Sequence, residues 1–491
     1  MAAFIGCTRL SADDKPRNIL LLYADDMGYG DLGANNPASK IPTPHLDRLC
    51  AEGMRFTDGH SSSGICTPSR YAMLTGRHHW RDFHGIAGAF DGSFFKPGQL
   101  TLAAMLKQKG YATACIGKWH LGMDWDAIRK PGMPRNSIEH TAFDWTKPFP
   151  GGPLDHGFDY YFGDNVINFP PYAWIENDRL ISPPDMTLRS NPVATKEGAW
   201  ECRPGPARSD WNFYQALPTL AKKGEEYIRA RKENKQPFFL YFPLPSPHAP
   251  IIPTDEFDGK SKAGAYGDFM VQTDDTCGRL LTALRESGLE KNTIVIFTSD
   301  NGPEFYAYAR DENFDHWSAA PLRALKRDTY EGGHRVPFII KWSDIIKPGT
   351  VTGALISQVD LMATLAAHTG FDLPGDSAAD SHDFLPWLKG ETPNPPRTSM
   401  VHNTSKDNYA IREGDWLLVD AKSGAARQPP PAWNEKHNQP PDDEQAVELY
   451  NLKDDIGQRN NLAAQHPEKV AGLKTLLRKL REKGHSAPRL D

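Results

Sequence analysis

The chain is predicted to be an α/β protein: a large α/β/α sandwich around a mostly parallel sheet, with a small C-terminal α+β domain. Three observations predict this. Continuous apolar runs at Asn18–Ala24, Tyr111–Ile116, Pro237–Phe242 and Asn292–Thr298 read as strands. Runs without polar alternation suit strands covered on both faces. Helix-like segments separate them, and repeated strand–helix–strand units build a parallel sheet with helices on each side. Beyond residue 390 the pattern changes to short strands and one amphipathic helix.

The elements follow in order. Thr43-Pro44 opens a helix through Glu52, with Thr as N-cap and Pro at the first helical position. Pro68-Ser69 starts another through Leu74, placing Cys66 just before it. Thr101 caps a third that stops at Gly110. Pro218 to about Arg231 is helical. So is Phe269–Ser287, with Val271, Leu280, Leu281 and Leu284 on one side and Gly288 as its stop. Residues 16–390 are expected to form the large domain, and the Pro-rich stretch Gly390–Pro396 reads as a linker. In 397–491, Tyr409–Arg412, Trp416–Asp420 and Val447–Leu452 are strand candidates. Pro467 to about Lys483 is a helix turning Val470, Leu473, Leu477 and Leu480 inward. The polar segment 422–444 is expected to be a mobile loop. Residues 1–15 are a tail. Its start, Met1 to Cys7, reads either as the end of an export signal with Cys7 as acylation site, or as an ordinary frayed terminus. The first reading implies a periplasmic or secreted protein, anchored as a lipoprotein if Cys7 is acylated.

Composition narrows the function. Among 491 residues, 56 Lys and Arg stand against 62 Asp and Glu, a net charge of −6; 39% are hydrophobic and 24% charged. These are globular values, which exclude a fibrous or wholly disordered chain. No basic excess favours a nucleic-acid partner. No apolar stretch approaches 18 residues, so no transmembrane segment is expected. Six cysteines, at 7, 50, 66, 115, 202 and 277, are too sparse for a disulfide framework.

In open parallel sheets, ligands bind outside the carboxyl ends of the strands. Asp25-Asp26 follows the first strand and Asp300-Asn301 follows that ending at Ser299. Lys118-Trp119-His120 follows Ile116, and His248 lies in the turn after Phe242. Asp25, Asp26, Asp300 and Asn301 offer hard oxygen donors, suited to Ca2+ or Mg2+ rather than to a thiolate-seeking metal. Cys66, near the N-terminus of the next helix, would sit where unpaired N–H groups favour an anion, with Arg70 as a fixed cation.

The ordered set of motifs resembles the formylglycine-dependent sulfatases of the alkaline phosphatase superfamily. Cys66-Thr-Pro-Ser-Arg70 with Thr75-Gly76-Arg77 is similar to the signature whose Cys is oxidised to an aldehyde. Gly110 to His120 resembles the second signature. Asp25 to Asp31 and Ser299 to Gly302 resemble the metal motifs, Thr329 to Gly333 with Arg335-Val-Pro337 another block, and Leu449 to Asp455 with Asn461-Leu-Ala463 the C-terminal domain. The resemblance implies a sulfate monoester hydrolase that binds one divalent cation, usually Ca2+, through Asp25, Asp26, Asp300, Asn301 and residue 66. It implies that a maturation enzyme converts Cys66 to formylglycine. The hydrated aldehyde then attacks sulfur through one hydroxyl, and loss of the other proton expels sulfate. Arg70, Lys118 and Lys326 would hold sulfate, His120 would assist release and His248 would protonate the leaving group. In Pro321 to Lys326, Ala324 and Leu325 stand where the family commonly has two glycines.

Substrate contacts are expected from His316, from His79 and His84 after the signature, and from Asn165 or Asn168 after Gly157-Phe-Asp159. The aromatic-rich stretch 125–215, with Trp145, Tyr172, Trp174, Trp200 and Trp211, suits sugar stacking. A sulfated polysaccharide or oligosaccharide is therefore the expected substrate. The alternatives are a phosphonate or phosphodiester hydrolase of the same superfamily and a glycan-binding pseudosulfatase with unmodified Cys66.

Overall fold

The computed structural model describes residues 16–190, 195–199, 201–421, 423–440 and 447–490. The 1–15 tail with Cys7, and Trp200, lie outside the described residues.

Ten strands form the main sheet. Asn18–Asp25 lies near its centre, parallel to Thr293–Ser299 on one side and to Phe238–Pro247 on the other. Ala112–Ile116 and Tyr160–Gly163 continue the parallel series. Toward the edges the direction changes. Phe338–Lys341 runs antiparallel to Thr293–Ser299, Met54–Phe56 pairs antiparallel with it, and Thr350–Thr352 closes that edge. Ile175–Glu176 and Arg179–Leu180 close the other. These edge strands are two to four residues long, too short to show a period.

Alternation along the central strand feeds two cores. Ile19, Leu21 and Tyr23 pack with Tyr71, Met73, Leu102, Leu106 and Leu361, under the helices Cys66–Thr75, Leu102–Gln108 and Asp360–Thr369. Leu20, Leu22 and Ala24 pack with Leu46, Leu217, Leu280 and Leu284, under Pro44–Glu52, Ala216–Ala230 and Gly264–Glu286. Each fully buried Leu or Ile contributes about 1.5–3 kcal/mol. The expected three layers result, with a mixed rather than parallel sheet at the margins.

The C-terminal part adds a separate antiparallel sheet of four strands in sequence order: Ser399–Ser405, Asn408–Glu413, Trp416–Asp420 and Glu448–Asn451. Helix Pro467–Glu482 drops Leu473 and Leu477 onto Val401, Ile411, Leu418 and Leu449, and Trp80 enters the same cluster from the large unit. Two buried pairs cross the seam: Arg412 to Asp58 at 2.6 and 2.7 Å, and Arg397 to Asp360 at 2.5 and 2.8 Å. The segment expected to swing free is anchored in its described part. It forms the helix Pro431–Lys436, whose Trp433 packs on Tyr308 and Trp317, and His437 binds Asp311 at 2.7 Å. Its polar composition masked one buried indole. The described residues contain no helix long and apolar enough to cross a membrane.

Candidate active site

The sheet delivers its functional groups at the carboxyl ends of four adjacent strands. Asp25 ends the central strand and Asp26 follows with φ 67°, a left-handed conformation. Asp300-Asn301 leaves the neighbouring strand, and the Asp26 amide donates to Asp300 at 3.2 Å. Lys118-Trp119-His120 leaves the strand Ala112–Ile116 through Gly117, where φ is 133° and a Cβ would lie 2.0 Å from the Pro243 carbonyl. Only glycine fits that approach.

Helix Cys66–Thr75 begins at Cys66 itself, two residues earlier than Pro68-Ser69 suggested, because Pro is tolerated within a first turn. Cys66 and Arg70, four apart, share a helix face. Arg70 is fully buried. Its Nε and Nη2 donate to Asp300 Oδ2 at 3.0 and 2.7 Å, and Nη1 donates to the Lys118 carbonyl at 3.2 Å. Nη2 also lies 3.7 Å from Asp25.

The other cations converge on the same carboxylates. Lys118 donates to Asp25 at 2.5 Å, and Lys326 to Asp26 at 2.8 Å with Glu304 3.5 Å away. His248 Nε2 stands 3.8 Å from Asp26, while its Nδ1 contacts the Ala249 carbonyl at 2.5 Å. The two glycines expected before Lys326 are absent, yet Ala324 adopts the left-handed conformation at φ 73° and the lysine still reaches Asp26. His120, also left-handed at φ 55°, bonds through Nε2 to the Ala87 carbonyl, leaving a buried Nδ1 without a partner.

The electrostatics fit a cation between the carboxylates. Burial opposes ionisation of Asp25, but Lys118, His248 and Arg70 hold it well below the usual range. Burial and Asp25 push Asp300 up to about 7. Two such groups ionise together only with added positive charge. The Oδ1 atoms of Asp25 and Asn301 are buried without a hydrogen-bond partner, free to ligate. Asp25, Asp26, Asp300 and Asn301 therefore suit a hard divalent cation. Burial pushes the Cys66 thiol up, despite Lys118 and Lys326. As a thiol it stays protonated and is a poor nucleophile.

The residues expected to contact substrate make hydrogen bonds and packing contacts within the protein. His316 is buried with Nε2 2.8 Å from Asp31, a residue that also accepts from Gly28 and Tyr266, so it braces the loop after the central strand. His79 is buried against Asn403 of the small sheet, which His84 also contacts, each at 3.2 Å. His84 lines a basic groove of about 650 Å3 with Arg81, Lys406, Arg478 and Arg481. Asn165 accepts the His120 amide at 3.3 Å and supports the Lys118–His120 turn. Asn168, the alternative, keeps a buried unpartnered Oδ1. Trp174 packs between Phe162 and Trp211, each with ring centroids 5.0 Å away. Sequence reasoning named Asp31 only as the end of a metal motif, without its bracing role, and missed Glu304. The latter, three residues past Asn301, ties Lys326 and Arg327 into the cluster.

The site is an acidic cradle suited to a hard divalent cation and ringed by cationic side chains, with Cys66 at a helix N-terminus. A family model described as Sulfatase matches residues 17–371. The chain is 31% identical to an N-acetylgalactosamine-6-O-sulfatase of Bacteroides thetaiotaomicron, over 97% of this chain and 96% of that protein. It is 33% identical to human arylsulfatase A, over 94% and 87% respectively. A solved Bacteroides thetaiotaomicron structure, described under metabolism of multiple glycosaminoglycans, superposes with a TM-score of 0.79 at 31% identity, covering 95% of this chain and all of that one. The chain belongs to the sulfatase family and is a sulfuric ester hydrolase.

Proposed function

We propose that the enzyme removes 6-O-sulfate from N-acetylgalactosamine-type sugars of sulfated glycans. The observation that carries this reading is the convergence of Arg70, Lys118, Lys326 and His248 on Asp25, Asp26 and Asp300, beside residue 66, in a chain alignable almost end to end with an N-acetylgalactosamine-6-O-sulfatase.

Residue 66, matured to formylglycine, supplies the nucleophile. Asp25, Asp26, Asp300, Asn301 and residue 66 would hold Ca2+, which would supply Lewis acidity toward sulfate. The protein's own groups do the rest. Lys118 is oriented by Asp25 and Lys326 by Asp26 and Glu304, and N–H bonds left over on each serve sulfate oxygens. Arg70 is fixed on Asp300 and keeps the cradle's shape. Such pre-aimed donors stabilise charge on the transferring group without reorganising during reaction. His248 donates Nδ1–H to the Ala249 carbonyl, which leaves Nε2 as the nitrogen that delivers a proton to the departing sugar oxygen. His120 stands by through its free Nδ1 to assist sulfate release.

The test is a substrate panel: 6-O-sulfated N-acetylgalactosamine, isomers sulfated at other positions, a bis-aryl phosphate and a phosphonate monoester. Fastest sulfate release from the 6-O-sulfated sugar is expected. Faster turnover of the phosphorus esters would transfer the chain to the phosphonate or phosphodiester reading. No turnover of any ester, with Cys66 unmodified, would leave a glycan-binding pseudosulfatase.

A further inference from the structure

Lys326 is followed by a second cation that the mechanism leaves unused. Arg327 adopts the left-handed conformation at φ 77°, which is unfavourable for a residue with a Cβ. Its amide donates to the Gly64 carbonyl at 2.7 Å, two residues before Cys66, and this bond holds the backbone in place. The side chain is 41% exposed, and its Nη1 donates to both oxygens of Glu304 at 2.7 Å each. Glu304 is buried and also stands 3.5 Å from Lys326, so one carboxylate orients the sulfate-binding lysine and the arginine beside it.

A guanidinium carries five N–H donors. Those on Nη2 and Nε of Arg327 make no hydrogen bond among the described residues. Burial works against its charge, whereas Glu304, Asp26 and residue 66 raise its pKa, which places the guanidinium within electrostatic reach of the cradle and the nucleophile position. Arg327 is therefore a fixed, partly exposed cation at the edge of the site, with donors to spare.

A cavity of about 570 Å3 begins at Phe305, the residue after Glu304. That volume suits a small ligand. The Phe305 amide donates to Glu304 at 2.9 Å, which ties the cavity wall to the same carboxylate. Tyr308 and Trp433 are buried beneath it, and the half-buried rings of Phe305 and Tyr306 stand with centroids 4.2 Å apart. Arg427 lies over the Phe305 ring, its Cζ 4.3 Å from the centroid, and no hydrogen bond or ion pair among the described residues ties it down. Its segment runs beside Arg327: the Thr329 amide donates to the Gly424 carbonyl at 2.7 Å, and the Ala426 amide donates to Asp328 at 2.6 Å. Of the acids on the cavity lining, Asp311 is matched by His437 at 2.7 Å and Lys436 at 3.1 Å, and Glu312 is exposed.

We propose that Phe305, Arg327 and Arg427 form a subsite for the sugar unit bonded to the one that loses sulfate, and that this subsite selects a unit bearing an anionic group. The proposal rests on the glycan reading above and adds the neighbour to it. Aromatic side chains offer large apolar faces on which a sugar ring packs. Arginine pairs with carboxylate and with sulfate through charge-assisted hydrogen bonds. The anion on the neighbouring unit accepts from the open donors of Arg327, while its ring packs against the aromatic wall beside Arg427.

The experiment measures kcat/KM for loss of the 6-O-sulfate from four substrates: 6-O-sulfated N-acetylgalactosamine alone, and the same unit in disaccharides whose neighbour is a neutral hexose, a hexuronate or a sulfated hexose. A hydrogen bond to a charged group is worth about tenfold or more, so the better acidic disaccharide should exceed the neutral one by at least about that factor in the wild type. The larger of the two acidic preferences identifies the anion as carboxylate or sulfate. Arg327→Gln and Arg427→Gln should each cut the acidic-to-neutral ratio severalfold, and the double variant should abolish the preference. Phe305→Ala should lower all three disaccharides relative to the monosaccharide. Each ratio is taken on one protein sample, so a change in folded fraction or in the setting of Lys326 cancels. A wild type indifferent to the neighbour's charge would overturn the proposal, and so would arginine variants that keep the full preference. Faster turnover of an isomer sulfated elsewhere would strike only the reading of the sulfated sugar; the same comparison run on that isomer then decides the subsite by the same two results.

Discussion

Replacing His248 with Ala isolates the proton needed by the leaving group. The ring's Nδ1–H is committed to the Ala249 carbonyl at 2.5 Å, so only Nε2 faces the cradle, 3.8 Å from Asp26. Burial and Lys326 lower its pKa and Asp26 and Asp25 work against them, with a net fall below the ordinary histidine value. A lowered pKa makes the protonated ring a stronger acid. A sugar alkoxide cannot depart without a proton, whereas a nitrophenolate can. General acid catalysis is worth about 10²–10⁴ in rate, or roughly 2.7–5.4 kcal/mol. His248→Ala should therefore slow release of sulfate from a sugar 6-O-sulfate by that factor, and from nitrophenyl sulfate by less than about tenfold. Losing positive charge beside Asp26 affects both substrates alike, so the ratio of the two kcat/KM values isolates the proton. Sulfate would be measured by ion chromatography for both. A ratio unchanged within about threefold would remove His248 from the acid role.

Two further predictions concern stability. Arg412→Ala removes the two-pronged cation from Asp58 at the seam; breaking a buried pair costs about 3–5 kcal/mol, and Arg335, 3.4 Å from the same carboxylate, keeps the loss near the lower end. Urea unfolding should show that loss together with faster proteolysis between the two units, and an unchanged midpoint would refute the coupling. Asp274 accepts from the His45 and Leu46 amides, yet burial pushes its carboxyl up to about 7 from 3.8. Its folded pKa lies above its unfolded one, so its contribution is full below about pH 4 and declines as pH rises toward 7. Asp274→Asn should abolish that decline, amounting to about 4 kcal/mol of the wild-type-minus-variant difference between pH 4 and 8. Parallel stability curves for the two proteins would contradict it.

The convergence of carboxylates and cations was legible because these residues follow long apolar strands, and strand ends are where an α/β sheet gathers chemistry. Asp25, Lys118, His248 and Asp300 needed only the strands to be placed correctly. The edge strands, such as Met54–Phe56 and Phe338–Lys341, were not legible, since three or four residues carry no period and their pairing is set by tertiary packing. The roles of the residues near the signatures were less legible, for a physical reason. His79, His316 and Trp174 are polar or aromatic residues near the signatures, and sequence alone does not distinguish a side chain facing a ligand from one bracing a loop. Asn403 and Asp31, which engage His79 and His316, are far away in the chain, and Phe162, stacked on Trp174, is brought to it by strand pairing.

The most direct test of the catalytic account is the mass of the tryptic peptide carrying residue 66 from enzyme that turns over sulfate esters. The account predicts a peptide about 18 Da lighter than the encoded cysteine form, and no turnover in Cys66→Ala. Full activity from protein whose Cys66 is an intact thiol would contradict it.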